Sequence, residues 1–222
     1  MHCSLGRYSE ACVITQNCGA CLLTKPTACL RLKARIELSI GIVYSQVITK
    51  NVTVILVHGA GSYGHLIAKK YCLSQGRVAS IPESDQKAGV DTVHRDLRTL
   101  SEIIIAELGK QGIKCKLHSP RTWATGTGPT FIGDLSRFTA MPDSAPIVHM
   151  THGDIVACAK PKMFGVLSGD DLMLRLARHV FESPTHRLRS VIFAMDVGGL
   201  LSAPPGRRGR RWRAVYLVIG VE

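Results

Sequence analysis

Apolar, strand-like runs alternating with helix-period segments predict an α/β protein, a three-layer α/β/α sandwich with a mostly parallel central sheet. Three observations carry that expectation. Residues 52–57 (VTVILV) are β-branched or apolar throughout, as a strand buried on both faces requires. Between residues 92 and 109, Val93, Leu97, Leu100, Ile104 and Leu108 recur at the spacing of one helix face. Residues 171–181 repeat that pattern with Leu172, Leu176 and Val180, after FGVLSGDD.

Taken in order, the strand at 52–57 runs into a glycine turn and then LIAKKYCL, residues 66–73, which is compatible with a helix. The amphipathic helix at 92–109 follows, with Gly109 and Gly112 available to stop it. Ile113, Cys115 and Leu117 then alternate with Lys114, Lys116 and His118, the pattern of a half-exposed strand. Residues 120–145 are rich in Gly, Pro, Ser and Thr and read as a connection holding a short helix. PIVHM (146–150) opens another strand, the helix at 171–181 comes next, and SVIFAM (190–195) is a strand leading into Asp196. No internal repeat is present. In such a fold, ligands are expected beyond the C-terminal ends of the strands.

Composition narrows the function classes. With 222 residues, 45% of them hydrophobic, the chain can bury a substantial core, so disorder is not expected. Lys and Arg number 28 against 16 Asp and Glu, a formal charge of +12 that suits an anionic partner such as a phosphorylated metabolite. Much of the excess lies in GRRGRRWR, residues 206–213, whose only aromatic is Trp212. That run reads as a solvated tail, and nucleic acid is not the expected partner. No stretch approaches the ~18 apolar residues of a membrane span, and MHCSLGRYSE lacks the apolar core of a signal peptide. A cytoplasmic protein without membrane contact is therefore expected. Eight cysteines are present, and Cys18 and Cys21 have metal-ligand spacing, yet no second pair or His-x-His partner follows. Free thiols and no metal centre are expected.

Three glycine-bearing turns carry the chemistry. They are His58 to His65, His152-Gly153-Asp154, and Ser168-Gly169-Asp170-Asp171. Glycine lets backbone N–H groups approach phosphate oxygens, and a following helix offers its positive end to the same anion. His65 can donate to a phosphate oxygen, or can cap the helix or sit in the core. Asp170 and Asp171 are open to helix capping and to ligand contact alike. An HGxG turn also forms the oxyanion hole of α/β-hydrolases, but those enzymes need a later Gly-x-Ser-x-Gly elbow. The nearest segments, Cys72-Leu-Ser-Gln-Gly76 and Glu37-Leu-Ser-Ile-Gly41, lack its first glycine, which disfavours a hydrolase.

On these residues the chain resembles the isopentenyl phosphate kinases of the amino acid kinase superfamily. VHGAGSYGHLIAKKY is similar to that family's VHGGGSFGH segment, THGDIV to YGD-V, FGVLSGDDLM to ISGDD, and VIFAMDVGGLL to DVDG, in matching order over roughly residues 12 to 203. The resemblance implies an amino acid kinase-like domain at 12–205, flanked by an N-terminal extension at 1–11 and a divergent basic tail at 206–222, with the C-terminal part of the fold incomplete. It implies His65 and Lys25 as catalytic groups. Ala60, His65, Gly153, Ser168 and Gly169 are implied on the substrate side, and Gly19, Gly61, Asp170 and Asp196 on the nucleotide side. Lys25 enters because the family's Lys-Leu-Gly-Gly-Ser loop is matched here by Asn17-Cys-Gly-Ala-Cys21, and its Thr-x-Lys by Thr24-Lys25-Pro26. In the DVDG match, Gly198 stands where the family has its second aspartate. The implied reaction is transfer of the ATP γ-phosphoryl group to isopentenyl phosphate with Mg²⁺, giving isopentenyl diphosphate for isoprenoid synthesis, in a possible homodimer. A related kinase for another phosphate, phosphonate or carboxylate, and a non-catalytic small-anion binder, are the alternative expectations.

Overall fold

The computed structural model describes residues 9–16, 41, 43–44, 52–140, 147–194, 200–201 and 214–215. Gly19, Lys25, Asp196, the Cys18/Cys21 pair and the arginine run lie outside the described residues.

The central sheet is built from β1 (Ser9–Gln16), β2 (Thr53–His58), β3 (Lys114–Leu117), β6 (Ile147–His152) and β9 (His186–Ala194). Its order is β3-β6-β2-β1-β9, and every pairing is parallel. A mixed four-stranded sheet joins β4 (Ala124–Thr125), β5 (Ile132–Gly133), β7 (Asp154–Ala157) and β8 (Phe164–Leu167) in the order β5-β4-β7-β8. A short antiparallel pair links β10 (Leu200–Leu201) to β11 (Ala214–Val215). The helices are α1 (His65–Lys70), α2 (Glu83–Lys110) and α3 (Gly169–Phe181).

The unbroken apolar run of β2 has a direct cause. Its alternate residues feed two different cores, with Val54 and Leu56 packed against Leu100, Ile104 and Leu108 of α2, and Ile55 and Val57 packed against Leu172, Leu176 and Val180 of α3. Each fully buried aliphatic side chain contributes about 1.5–3 kcal/mol, so the strand anchors both outer layers. Leu73, Val93, Leu97 and Ile155 form a third buried cluster at the C-terminal end of the sheet.

Several elements depart from the sequence expectation. α2 begins at Glu83 rather than near 92, with Pro82 before it and Glu83 and Asp85 in its first turn. Its early buried positions are Gln86 and Gly89, so apolar periodicity has nothing to register there. The Gln86 carboxamide accepts from Arg77 and from Val78 N–H and donates to the Tyr71 and Gly76 carbonyls, tying the α1–α2 connection to the helix. The helix passes through Gly109, and the chain turns at Gly112, whose φ is +72°. The connection at 120–145 contains β4 and β5, two residues each and too short for a visible alternation. β7 continues directly from the His152-Gly153-Asp154 turn. β9 begins at His186, where buried His186 and Leu188 alternate with exposed Arg187 and Arg189. β1 starts inside the segment assigned as the N-terminal extension, and β11 lies inside the one assigned as the tail.

Among the described residues no helix is long and apolar enough to cross a membrane. Cys72, Cys115 and Cys158 are free thiols, and burial pushes that of Cys115 up to about 12.

Candidate active site

β2 and β6 are neighbours in register, so His58 and His152, the last residue of each, lie side by side where both strands open into turns. The N–H of Gly153 donates to the His58 carbonyl at 3.2 Å, which stitches the two turns together. The third turn, at the start of α3, packs against the second. A Cβ on Gly153 would lie 3.1 Å from the Gly169 nitrogen and 3.3 Å from the Leu167 oxygen. A side chain at residue 153 would require this backbone to give by a few tenths of an ångström. In the first turn, a Cβ on Gly64 would come within 2.8 Å of the Ala60 Cβ, which holds that turn equally tight.

Residues from all three turns line one cavity of about 200 Å³. Gly59, Ala60, Gly64 and His65 come from the first, Gly153 and Asp154 from the second, and Ser168, Gly169 and Asp170 from the third. The remaining lining is apolar: Ala68, Val93, Leu97, Ile155, Val166 and Phe193 belong to it. Val93 and Leu97 thus serve the core and the cavity at once. His65 is exposed and is the first residue of α1, so it is neither a core histidine nor a side-chain cap. No hydrogen bond of the described residues uses the N–H of Ala60, Gly169 or Asp170.

The aspartates divide their work. Ser168 is the N-cap of α3: its hydroxyl accepts from Asp171 N–H at 3.0 Å and donates to the Asp171 carboxylate at 2.7 Å. Capping thus falls to Ser168 and Asp171, while Asp170 faces the cavity. Asp154, which sequence reasoning did not single out, is buried, accepts from Ile155 N–H and Arg121 N–H, and lies 3.5 Å from the His94 ring. Its signal was present in THGDIV, but a strand start hides a carboxylate's direction. Gly61 is buried in the first turn with φ +50° and is not part of the cavity lining. Beneath the turns, burial and then the neighbouring His152 push the His58 imidazole down to about 3, and burial lowers that of His152 as well.

The arrangement can seat a small anion. Unused N–H groups at a tight turn and at the N-terminus of a thirteen-residue helix favour negative charge, and an adjacent imidazole can donate to it. Apolar walls beside that seat accommodate a hydrocarbon group.

Comparison with known proteins agrees with this geometry. Residues 41–215 match the amino acid kinase family. The chain belongs to that family. Among similar members is isopentenyl phosphate kinase from Methanocaldococcus jannaschii, 31% identical over 153 residues, which are 68% of this chain and 54% of that protein. Isopentenyl phosphate kinase from Arabidopsis thaliana is 30% identical over 158 residues, 68% of this chain and 43% of its own. The chain therefore spans about half the length of these curated relatives. A crystal structure of an isopentenyl phosphate kinase superimposes with a TM-score of 0.70 at 19% identity, covering 88% of this chain and 77% of the other. The amino acid kinase fold expected from the sequence is the fold observed.

Proposed function

We propose that this amino acid kinase family member phosphorylates isopentenyl phosphate from ATP to give isopentenyl diphosphate. The observation that carries the reading is the mixed cavity: unused N–H groups and His65 beside Ala68, Val93, Leu97 and Ile155. That combination suits a phosphate monoester with a short hydrocarbon tail, and two relatives above bear the matching name.

In this mechanism an oxygen of the acceptor phosphate attacks the γ-phosphorus of ATP, a new P–O bond forms, the β,γ-bridging bond breaks, and ADP leaves. The acceptor is already anionic near neutral pH, so no general base is needed. Positioning and charge neutralisation supply the rate. His65 and the Ala60 N–H hold the acceptor phosphate, Gly153 and Ser168 shape its seat, and Gly169 brings the α3 N-terminus against it. Gly61, Gly19 and Asp196 are assigned to the nucleotide side, and Lys25 to neutralising the transferred group.

The proposal assigns Mg²⁺ to the nucleotide phosphates, with Asp170 as the residue that would reach it. Asp170 is a cavity carboxylate, whereas the Asp154 oxygens already accept from two backbone N–H groups. Among the described residues no group of three His, Cys, Asp or Glu side chains could hold a metal, so phosphate oxygens would supply most of its ligands. When bound, Mg²⁺ would neutralise charge on the phosphates. The proposal includes a cytoplasmic site of action and a homodimer, the latter to be checked by sedimentation velocity.

The test is ADP release by the purified chain with Mg-ATP and isopentenyl phosphate, beside the His65→Ala variant. Turnover that depends on isopentenyl phosphate and falls on the order of 10²-fold without the imidazole supports the assignment. Equal rates with and without that acceptor, or unchanged kcat/KM in the variant, would remove it.

A further inference from the structure

His58 and His152 are paired across β2 and β6, and their rings lie 5.0 Å apart at 31°. Both are buried, at 0% and 2% exposure. Each also points a nitrogen at the carbonyl of the glycine that follows it. His58 Nδ1 is 3.2 Å from Gly59 O, and His152 Nδ1 is 3.0 Å from Gly153 O. Two histidines on different strands thus make the same local contact, one at the root of each turn.

Among the described residues this is the His152 ring's only hydrogen bond, because Nε2 is buried with no partner among them. The neutral Nδ1–H tautomer is therefore the one that lets the ring donate. Stability alone does not account for an imidazole here, since a buried nitrogen left unpaired is costly and an apolar side chain would avoid that cost. His58 has a second option: its Nε2 is 2.9 Å from the Ser101 hydroxyl of α2, which donates to Leu97 O at 2.9 Å, so donation from His58 Nδ1 requires that hydroxyl to turn its proton to Nε2.

A trans peptide holds its C=O and the next N–H in opposite directions. A Gly59 carbonyl drawn back to the His58 ring therefore turns the Ala60 N–H away from that ring, and Ala60 lines the cavity. The Gly153 carbonyl, drawn to His152, fixes the peptide that precedes Asp154, and Gly153 N–H in turn holds the His58 carbonyl.

We propose that His58 and His152 are a matched pair of positioning residues that set the Gly59–Ala60 and Gly153–Asp154 peptides, and so the anion seat, without touching the ligand. The inference deepens the kinase reading and rests on it for the identity of the ligand. It separates from that reading by experiment.

An asparagine amide can take the place of Nδ1, whereas a glutamine amide reaches the place of Nε2. His58→Asn and His152→Asn should therefore keep the KM for isopentenyl phosphate within about twofold. His58→Gln and His152→Gln should raise it about tenfold, the effect of one neutral hydrogen bond, with the KM for ATP unchanged. The reverse order at position 58 would show that the ring serves the Ser101 contact, and the proposal would fall. Equal loss in all four variants, or in none, would also overturn it.

Two measurements need no turnover. Imidazole ¹⁵N spectra of the wild-type chain should show His152 as the Nδ1–H tautomer at neutral pH, and the other tautomer would refute the contact. Inorganic phosphate should shift the Ala60 amide resonance of the wild-type protein and of both Asn variants, and shift it less in both Gln variants. If the wild-type chain proves inactive on isopentenyl phosphate, the kinase reading fails while this titration still decides the positioning role. An Ala60 amide that phosphate leaves unmoved in the wild type sinks the proposal.

Discussion

At the residue scale, the site depends on contacts that leave little room for a side chain. Gly153→Ala would force a methyl group to 3.1 Å from the Gly169 nitrogen, displacing either the second turn or the start of α3. Overpacking of this kind costs about 1–3 kcal/mol. Urea unfolding should show that loss, together with weakened phosphate binding. Ser168→Ala removes a hydroxyl that both caps α3 and fixes Asp171, and the expected loss is about 1 kcal/mol, or ~2–4 °C in Tm by calorimetry. A Tm unchanged in Ser168→Ala would mean that Asp171 or solvent replaces the cap. The glycines of all three turns stood out in the sequence because small residues interrupt apolar runs there. The division between Ser168, Asp170 and Asp171 did not, since three polar residues at a helix start offer several equivalent capping schemes until the backbone fixes one.

At the element scale, α2 is the piece on which the core and the cavity both lean. Leu100, fully buried against Val54 and Leu56, is the position where truncation should be most costly, and Leu100→Ala is expected to lose about 2–5 kcal/mol of unfolding free energy. Leu97 and Val93, one and two turns nearer the helix N-terminus, also line the cavity, so Leu97→Ala should change ligand affinity as well as stability. Denaturation and calorimetric titration of the same variants separate the two roles: a Leu100→Ala protein with weakened binding but native stability would contradict this assignment. The stripe from Val93 to Leu108 was readable because its partners are apolar. The first turns of the helix were not, because Gln86 is buried on hydrogen bonds to Tyr71, Gly76 and Val78, partners that only the folded chain supplies.

At the scale of the whole molecule, buried histidines make stability depend on pH. Burial, then the neighbouring His149, pushes His118 down to about 4, as burial and His152 push His58 down to about 3; burial also lowers His149 and His152. Lys116 opposes charge on both His118 and His149, and Arg137 on His118; Arg121 and His94 oppose it on His152, where Asp154 and the Gly153 carbonyl favour it, as the Gly59 carbonyl does on His58. A folded pKa below the unfolded value near 6.5 means that above that pH neither state binds the proton. As pH falls below it, the unfolded chain takes up protons that the folded chain refuses, so stability is lost down to the folded pKa. Each such histidine can contribute up to about 1.4 kcal/mol per pH unit in that interval. The urea midpoint should therefore drop steadily from pH 6.5 toward 4. Replacing His118 with Phe should flatten the drop, and an unaltered slope in that variant would exclude His118 from the effect.

The sequence by itself determined the layered α/β fold, the places where strands open into glycine turns, and the family resemblance. Those properties are written in local pattern: a strand buried on both faces must be apolar at every position, and a tight turn must be small. Only the tertiary structure decided which of those turns meet and which polar groups are left unused. It also decided that His58 and His152 face each other across β2 and β6, because strand order and register come from packing among segments distant in the chain. The same packing places Asp154 and the first turns of α2 where no periodicity could have put them. Directions of buried polar groups follow from partners far away in sequence, and a single sequence does not list partners.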